Sequence, residues 1–241
     1  MFAFVVSWTF DLGPTGFERD RGTSDAADPD EPASTRRGAK LVTRPLPAPP
    51  NPLVGREDEL HRVAGLLGAE ARAVTITGPG GTGKTRLAIA VAEDRLNAFG
   101  GNVAYVELAS VTEVEQVVPA IAAALGVKEA ESRSLADGLA TVIGDDLFLL
   151  VLDNLEQVID VAPELVALQR RCPNLRLLCT SRAPLRISAE VEFPLQPLRL
   201  PPAGEIPPPE DLETYPAVEL FVDRTRRARP DFRLSHDNHR A

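Results

Sequence analysis

The chain has 241 residues, 44% of them hydrophobic, and a formal charge of −9, enough for one full α/β domain with long tails. That acidic balance, with no basic stripe set against it, disfavours direct nucleic-acid binding, and no run of about 18 apolar residues predicts a membrane span. Cys172 and Cys179 fit neither a zinc pattern nor a disulfide framework, and are expected to be reduced thiols in a cytoplasmic protein.

Residues 1–10 are apolar but lack a basic start, and the acidic stretch that follows carries no signal-peptidase site, so they read as a tail and not a leader. Asp, Arg, Ser, Pro and Gly dominate 11–52, with Pro45, Pro47, Pro49, Pro50 and Pro52 closing the stretch. So little apolar surface cannot offset the entropy of ordering, and 1–52 is predicted to be a disordered tail and linker. Over 53–200, helical and strand patterns alternate, the signature of βα units around a parallel sheet. Strands are expected at 73–77, 102–108, 147–152, 175–180 and 191–195, and helices at 57–67, 84–98, 113–125, 134–143 and 163–170. A Pro-rich loop over 194–209 leads to a helix over 216–227, and 201–241 reads as the start of an incomplete helical domain.

Between the first strand and its helix stand Gly78, Pro79, Gly80, Gly81, Thr82, Gly83, Lys84 and Thr85, the Gly-x-x-x-x-Gly-Lys-Ser/Thr spacing of a P-loop. Small residues there let successive backbone N–H groups curl around a polyphosphate, at a helix start whose dipole also favours negative charge. Lys84 is expected to reach the β- and γ-phosphates and Thr85 to hold Mg2+. These eight residues, with Arg86, form the expected nucleotide-binding set.

Leu147, Phe148, Leu149, Leu150, Val151 and Leu152 form an unbroken apolar run ending in Asp153. It suits a central parallel strand buried on both faces, with the acid at the end where ligands bind in open α/β sheets. Asp153 then steers magnesium beside Thr85, the Walker B role; the alternative is an Asp that caps the next turn. Asn154 is an amide and cannot serve as the base for an attacking water. The run Leu177 to Ser181 delivers Arg182, whose planar, always-charged fork suits reading a γ-phosphate; the alternative is a surface Arg paired with an acid. No Asn-Lys-x-Asp motif follows the P-loop, so adenine is expected in place of guanine. A small-molecule phosphotransferase would bring an Arg-rich lid, but Arg170, Arg171 and Arg176 are expected at a helix end and a strand start. His61, His236 and His239 lack metal-site spacing, and Arg224, Arg226, Arg227 and Arg229 read as a solvated helix face or a docking face for a further domain.

Taken together, 51–57 (Asn-Pro-Leu-Val-Gly-Arg-Glu), the P-loop, Val151 to Asn154 with Glu156, 180–185, and Phe193 to Leu195 with Leu198 resemble the STAND-class signalling ATPases. More narrowly, they are similar to the NB-ARC or AP-ATPase-like modules of bacterial LuxR-type and related transcriptional regulators. The resemblance covers 51–241. It implies a P-loop NTPase three-layer α/β sandwich with a five-stranded parallel sheet of order 5-1-4-3-2, acting as an ATP/ADP switch. It also implies that Val54, Gly55 and Arg56 flank the adenine and that Arg182 is the sensor after the fourth strand. The chain reads as truncated, since it stops before the winged-helix and repeat parts that usually follow. The leading expectation is a Mg-dependent module of a signalling protein that hydrolyses ATP slowly, with a protein partner or self-association. The second is a non-hydrolysing nucleotide-binding interaction module.

Overall fold

Five segments form the strands β1 (Ala73–Thr77), β2 (Val103–Glu107), β3 (Phe148–Asp153), β4 (Leu175–Ser181) and β5 (Glu190–Pro194). They pair in parallel in the order β2-β3-β4-β1-β5, the expected 5-1-4-3-2 read from the other edge. This computed structural model describes residues 46–49, 51–69, 71–128, 133–188, 190–202 and 207–238. All belong to the unit Lys40–Ala241; residues 1–45 of the tail and linker expected over 1–52, part of the Pro-rich loop and His239 lie outside the described residues.

The helices are α1 (Glu57–Ala69), α2 (Lys84–Arg95), α3 (Val117–Ala124), α4 (Leu135–Ile143), α5 (Ala162–Arg171), α6 (Pro209–Leu212) and α7 (Pro216–Ala228). Side chains alternate across a strand with period two, and β3 shows what that does here. Leu150 and Leu152 join a core with residues of α3, α4 and α5, whereas Leu149 and Val151 join a second core with α1 and α2. Every residue of β1 and β3 is buried, which is why β3 reads as a continuous apolar run up to Asp153, whereas β1 buries Thr75 and Thr77 among its apolar residues. Leu46, inside the segment expected as linker, packs partly buried against the second core.

Element ends follow local chemistry. The Ser134 hydroxyl accepts from Asp137 N at 3.2 Å and caps α4, so the helix starts one residue later than expected. A 3₁₀ turn, Val114–Gln116, precedes α3. Helix α2 stops at Arg95, and not near 98, as the chain runs through a turn whose Gly100 and Gly101 both take positive φ. The short α6 was not expected; Pro209 at its first position and Glu210 and Asp211 in its first turn are the local signals for it.

Candidate functional site

The turn after β1 is shaped by backbone geometry that other residues resist. Gly78 has φ 148, and a Cβ there would lie 2.9 Å from the Leu195 carbonyl oxygen. Gly83 takes the left-handed conformation, φ 95, as the N-cap of α2. The turn is closed by Thr82 Oγ1 donating to Pro79 O at 3.0 Å. Lys84, 7% exposed, folds back over it, its Nζ donating to Gly78 O at 2.9 Å and to Pro79 O at 3.0 Å. The first amides of α2 have no carbonyl partner within the helix and give this end a partial positive charge.

One helical position on, the Thr85 hydroxyl donates to Asp153 Oδ1 at 2.9 Å, with Oδ2 at 3.1 Å. Asp153 is 2% exposed at the end of β3, and two further hydroxyls serve it. Tyr105 OH donates to Oδ2 at 3.0 Å and Thr180 Oγ1 to Oδ1 at 2.5 Å. The sheet brings them there: Tyr105 pairs with Val151 on β2, and Thr180 follows the Leu152↔Cys179 pair on β4. Burial, then the charge of Asp153 and the bond to it, push the Tyr105 phenol above its usual range, so it stays a protonated donor. Tyr105 was not singled out from sequence, and Thr180 only as part of the 180–185 motif, without a role toward Asp153. The oxygen set of Thr85 and Asp153 fits Mg2+, which prefers hard oxygen ligands, keeps waters, and is held through one or two carboxylates plus substrate phosphates. Among the described residues no cluster of three or more metal-type side chains offers another metal cage.

Arg182 leaves β4 one residue beyond the Thr77↔Ser181 pair, at the same sheet rim as Gly78. It is 70% exposed, with Nε 3.5 Å from Glu156 Oε1.

Beside the turn lies a cavity of about 480 Å³, within the range of small-molecule pockets. One wall is 79–83; the apolar walls are Leu53, Val54, Leu198, Leu200, Ala217 and Leu220, with Arg56, Arg86 and Arg224 at its margins. Arg86 donates to the carbonyls of Asn51 and Pro52, fixing the strand of chain that presents Val54. Arg56, 5% exposed, donates to Thr82 O at 3.2 Å and to Gln196 O at 2.6 Å. Gly55 stands behind the cavity at φ 61, where a Cβ would come 2.3 Å from Pro216 Cβ. The structure therefore brings the loop, Val54, Arg56 and Arg86 to one cavity, and Thr85 and Asp153 to one oxygen cluster. Arg224, expected on a solvated face, is exposed and also lines the cavity. Leu200, in the chain after β5, had no sequence signal, and Ala217 and Leu220 had none beyond the helical pattern of α7.

Residues 56–196 match the NB-ARC domain family. An uncharacterized protein of Mycobacterium tuberculosis is 37% identical over 185 residues, 76% of this chain and 44% of that protein. A second M. tuberculosis protein, named as a candidate HTH-type transcriptional regulator, is 36% identical over 171 residues, covering 70% of this chain and 18% of its own length. The chain thus spans less than half the length of these curated relatives. Among solved structures, Drosophila ORC bound to DNA aligns with TM-score 0.46 and 22% identity over 58% of this chain and 42% of that one. A Pyrococcus horikoshii STAND protein with a tetratricopeptide repeat sensor aligns with TM-score 0.41 and 18% identity over 75% of this chain and 26% of its own.

Proposed function

Because the chain belongs to the NB-ARC domain family, a nucleotide-binding P-loop ATPase module, we propose that it binds ATP and ADP with Mg2+ at the turn between β1 and α2. In this reading it hydrolyses ATP slowly, as a switch in a signalling or transcription-regulating protein of the cytoplasm, signalling through a protein partner or self-association.

The observation that carries the reading is the meeting of Thr85 and Asp153 at 2.9 Å, directly beneath a glycine turn over which Lys84 is folded. The amides of 80–85 cradle the phosphates. Lys84 exchanges the carbonyls of Gly78 and Pro79 for phosphate oxygens, a favourable trade of neutral acceptors for charged ones. Thr85 and Asp153 hold the magnesium ion, which neutralises phosphate charge when bound. The base enters the apolar cavity against Val54 and Leu198, and Arg182 reads the third phosphate from the rim. The regulatory role draws support from the relative named as an HTH-type regulator. The amide at Asn154 favours slow turnover and keeps a second reading in view, a non-hydrolysing binding module.

Ligand at a hundred times its dissociation constant stabilises the fold by about 2.7 kcal/mol, a shift of roughly 5–10 °C for a unit of this size. A thermal melt with ATP and with ADP checks this, and Lys84→Ala is expected to abolish the shift. A wild-type melt indifferent to both nucleotides refutes both readings, and phosphate release lost in Asp153→Ala separates the first from the second.

A further inference from the structure

The three hydroxyls that donate to Asp153 are not equivalent. A carboxylate offers about four lone-pair sites. Thr180 commits its proton to Oδ1 at 2.5 Å, its oxygen meanwhile accepting from Asn154 N at 3.0 Å. Tyr105 commits its proton to Oδ2 at 3.0 Å. Thr85 has one proton and two acceptors at almost the same distance, Oδ1 at 2.9 Å and Oδ2 at 3.1 Å. With one committed donor on each oxygen, the Thr85 proton is balanced between them.

That balance sets where Thr85 points its lone pairs. A hydroxyl rotates to suit its partners, so the direction of its proton fixes the lone pairs left for a ligand. Without the phenol, Oδ2 has no committed donor and draws the Thr85 proton to itself. The lone pairs of Thr85 and the plane of the Asp153 carboxylate then lose their fixed relation. Tyr105 is built into the sheet in a way that prevents this. It lies on β2 opposite Val151, two residues before Asp153, and with Val103 it packs against the core shared with α1 and α2. A tyrosine ring has only two χ angles, so packing the ring aims the hydroxyl at little cost in freedom.

Mg2+ demands near-ideal octahedral geometry, whereas Ca2+ accepts six to eight oxygens in flexible arrangements. Oxygens held in one direction therefore favour the smaller ion. We infer that Tyr105 is a positioning residue that makes the Thr85–Asp153 site select Mg2+ over Ca2+, through its bond to Asp153 Oδ2 and without itself touching the ion. The inference rests on the reading of this site as the Mg-nucleotide site.

The test titrates Mg2+ or Ca2+ into the full chain saturated with an ATP analogue carrying a β,γ-imido bridge, and reads the melting temperature. The quantity compared is the ion concentration that gives half of the stabilisation. Losing the partner behind a metal ligand typically costs 10–100-fold in metal affinity. Tyr105→Phe is therefore expected to raise the half-saturating Mg2+ concentration at least about 10-fold and that of Ca2+ less than about threefold, with analogue affinity in EDTA unchanged. A Mg2+ shift within about threefold overturns the inference, as does an equal loss for both ions. A parallel loss of analogue affinity in EDTA also overturns it, since that marks a purely structural role. The wild type alone decides if the variant does not fold: equal half-saturation by Ca2+ and Mg2+ overturns the inference while leaving the nucleotide site standing. A wild-type chain that binds no analogue with either ion overturns the nucleotide site with it.

Discussion

Replacing Thr180 by valine keeps a β-branched side chain of nearly the same shape in a site that is fully buried, and removes two hydrogen bonds. The first is the 2.5 Å bond from its hydroxyl to Asp153 Oδ1; the second is the 3.0 Å bond that the hydroxyl accepts from Asn154 N. A hydrogen bond to a charged group is worth about 1.5–3 kcal/mol and a neutral one about 0.5–1.5 kcal/mol, so the loss should come to about 2–4 kcal/mol. At roughly 2–4 °C per kcal/mol for a unit of this size, Tm should fall by about 4–16 °C. Asp153 keeps the hydroxyls of Thr85 and Tyr105, so the variant should still fold and still respond to ATP. Thr180→Ser retains both bonds and loses one buried methyl, at about 1 kcal/mol. The assay is thermal melting of the three proteins side by side. A Thr180→Val melt within about 1 °C of wild type refutes the claim that hydroxyl donors hold this buried carboxylate.

Gly55→Ala combines left-handed strain with a Cβ 2.3 Å from Pro216; a loss of about 2–4 kcal/mol in urea unfolding is expected, whereas Gly80→Ala, which meets nothing within 4 Å, should leave the midpoint in place. Tyr105→Phe strips one donor from Asp153 and should lower stability by about 1–3 kcal/mol, read by the same unfolding assay. The hydroxyl of Ser134 first, and then Arg171, hold the Asp137 carboxyl below its ordinary 3.8. The folded state thus takes up this proton less readily than the unfolded chain, and the resulting stabilisation is present above pH 3.8 and lost as pH falls through the lower folded value. Melting curves between pH 6 and 2 should show a shallower acid decline in Asp137→Asn than in wild type.

The centre of the sheet was legible because β3 is buried on both faces, which writes the unbroken apolar run Phe148 to Leu152 into the sequence. The glycine turn after β1 was legible because its glycines and Lys84 follow one another along the chain. What was not legible depends on which strands become neighbours. Tyr105 and Thr180 reach Asp153 only because β2 and β4 flank β3, a fact of topology that no local pattern carries. The cavity, whose walls at Val54, Leu198 and Leu220 come from three segments far apart in sequence, was legible only in part, through the family resemblance that placed Val54 at the adenine. Arg224 shows the limit from the other side: its charge and helical spacing correctly indicated an exposed residue, and only the folded arrangement shows that it also lines the cavity.

Arg56 ties these segments into one arrangement. Its buried guanidinium bonds the turn at Thr82 O, the chain after β5 at Gln196 O, 140 residues away, and α1 through Glu59 at 2.6 Å. Leaving such a buried charge uncompensated would cost several kcal/mol, so the three segments and the cavity they enclose hold together or open together. In the proposed complex the base fills that cavity and touches α7 at Ala217 and Leu220, and it does so equally in ATP and ADP. A ligand shifts a conformational equilibrium only by its difference in affinity for the two states. The cavity therefore makes closure depend on nucleotide without distinguishing which nucleotide is bound. That discrimination must be made where the third phosphate would lie, at the rim where Arg182, 70% exposed, has a 3.5 Å contact with Glu156 that a phosphate oxygen can replace.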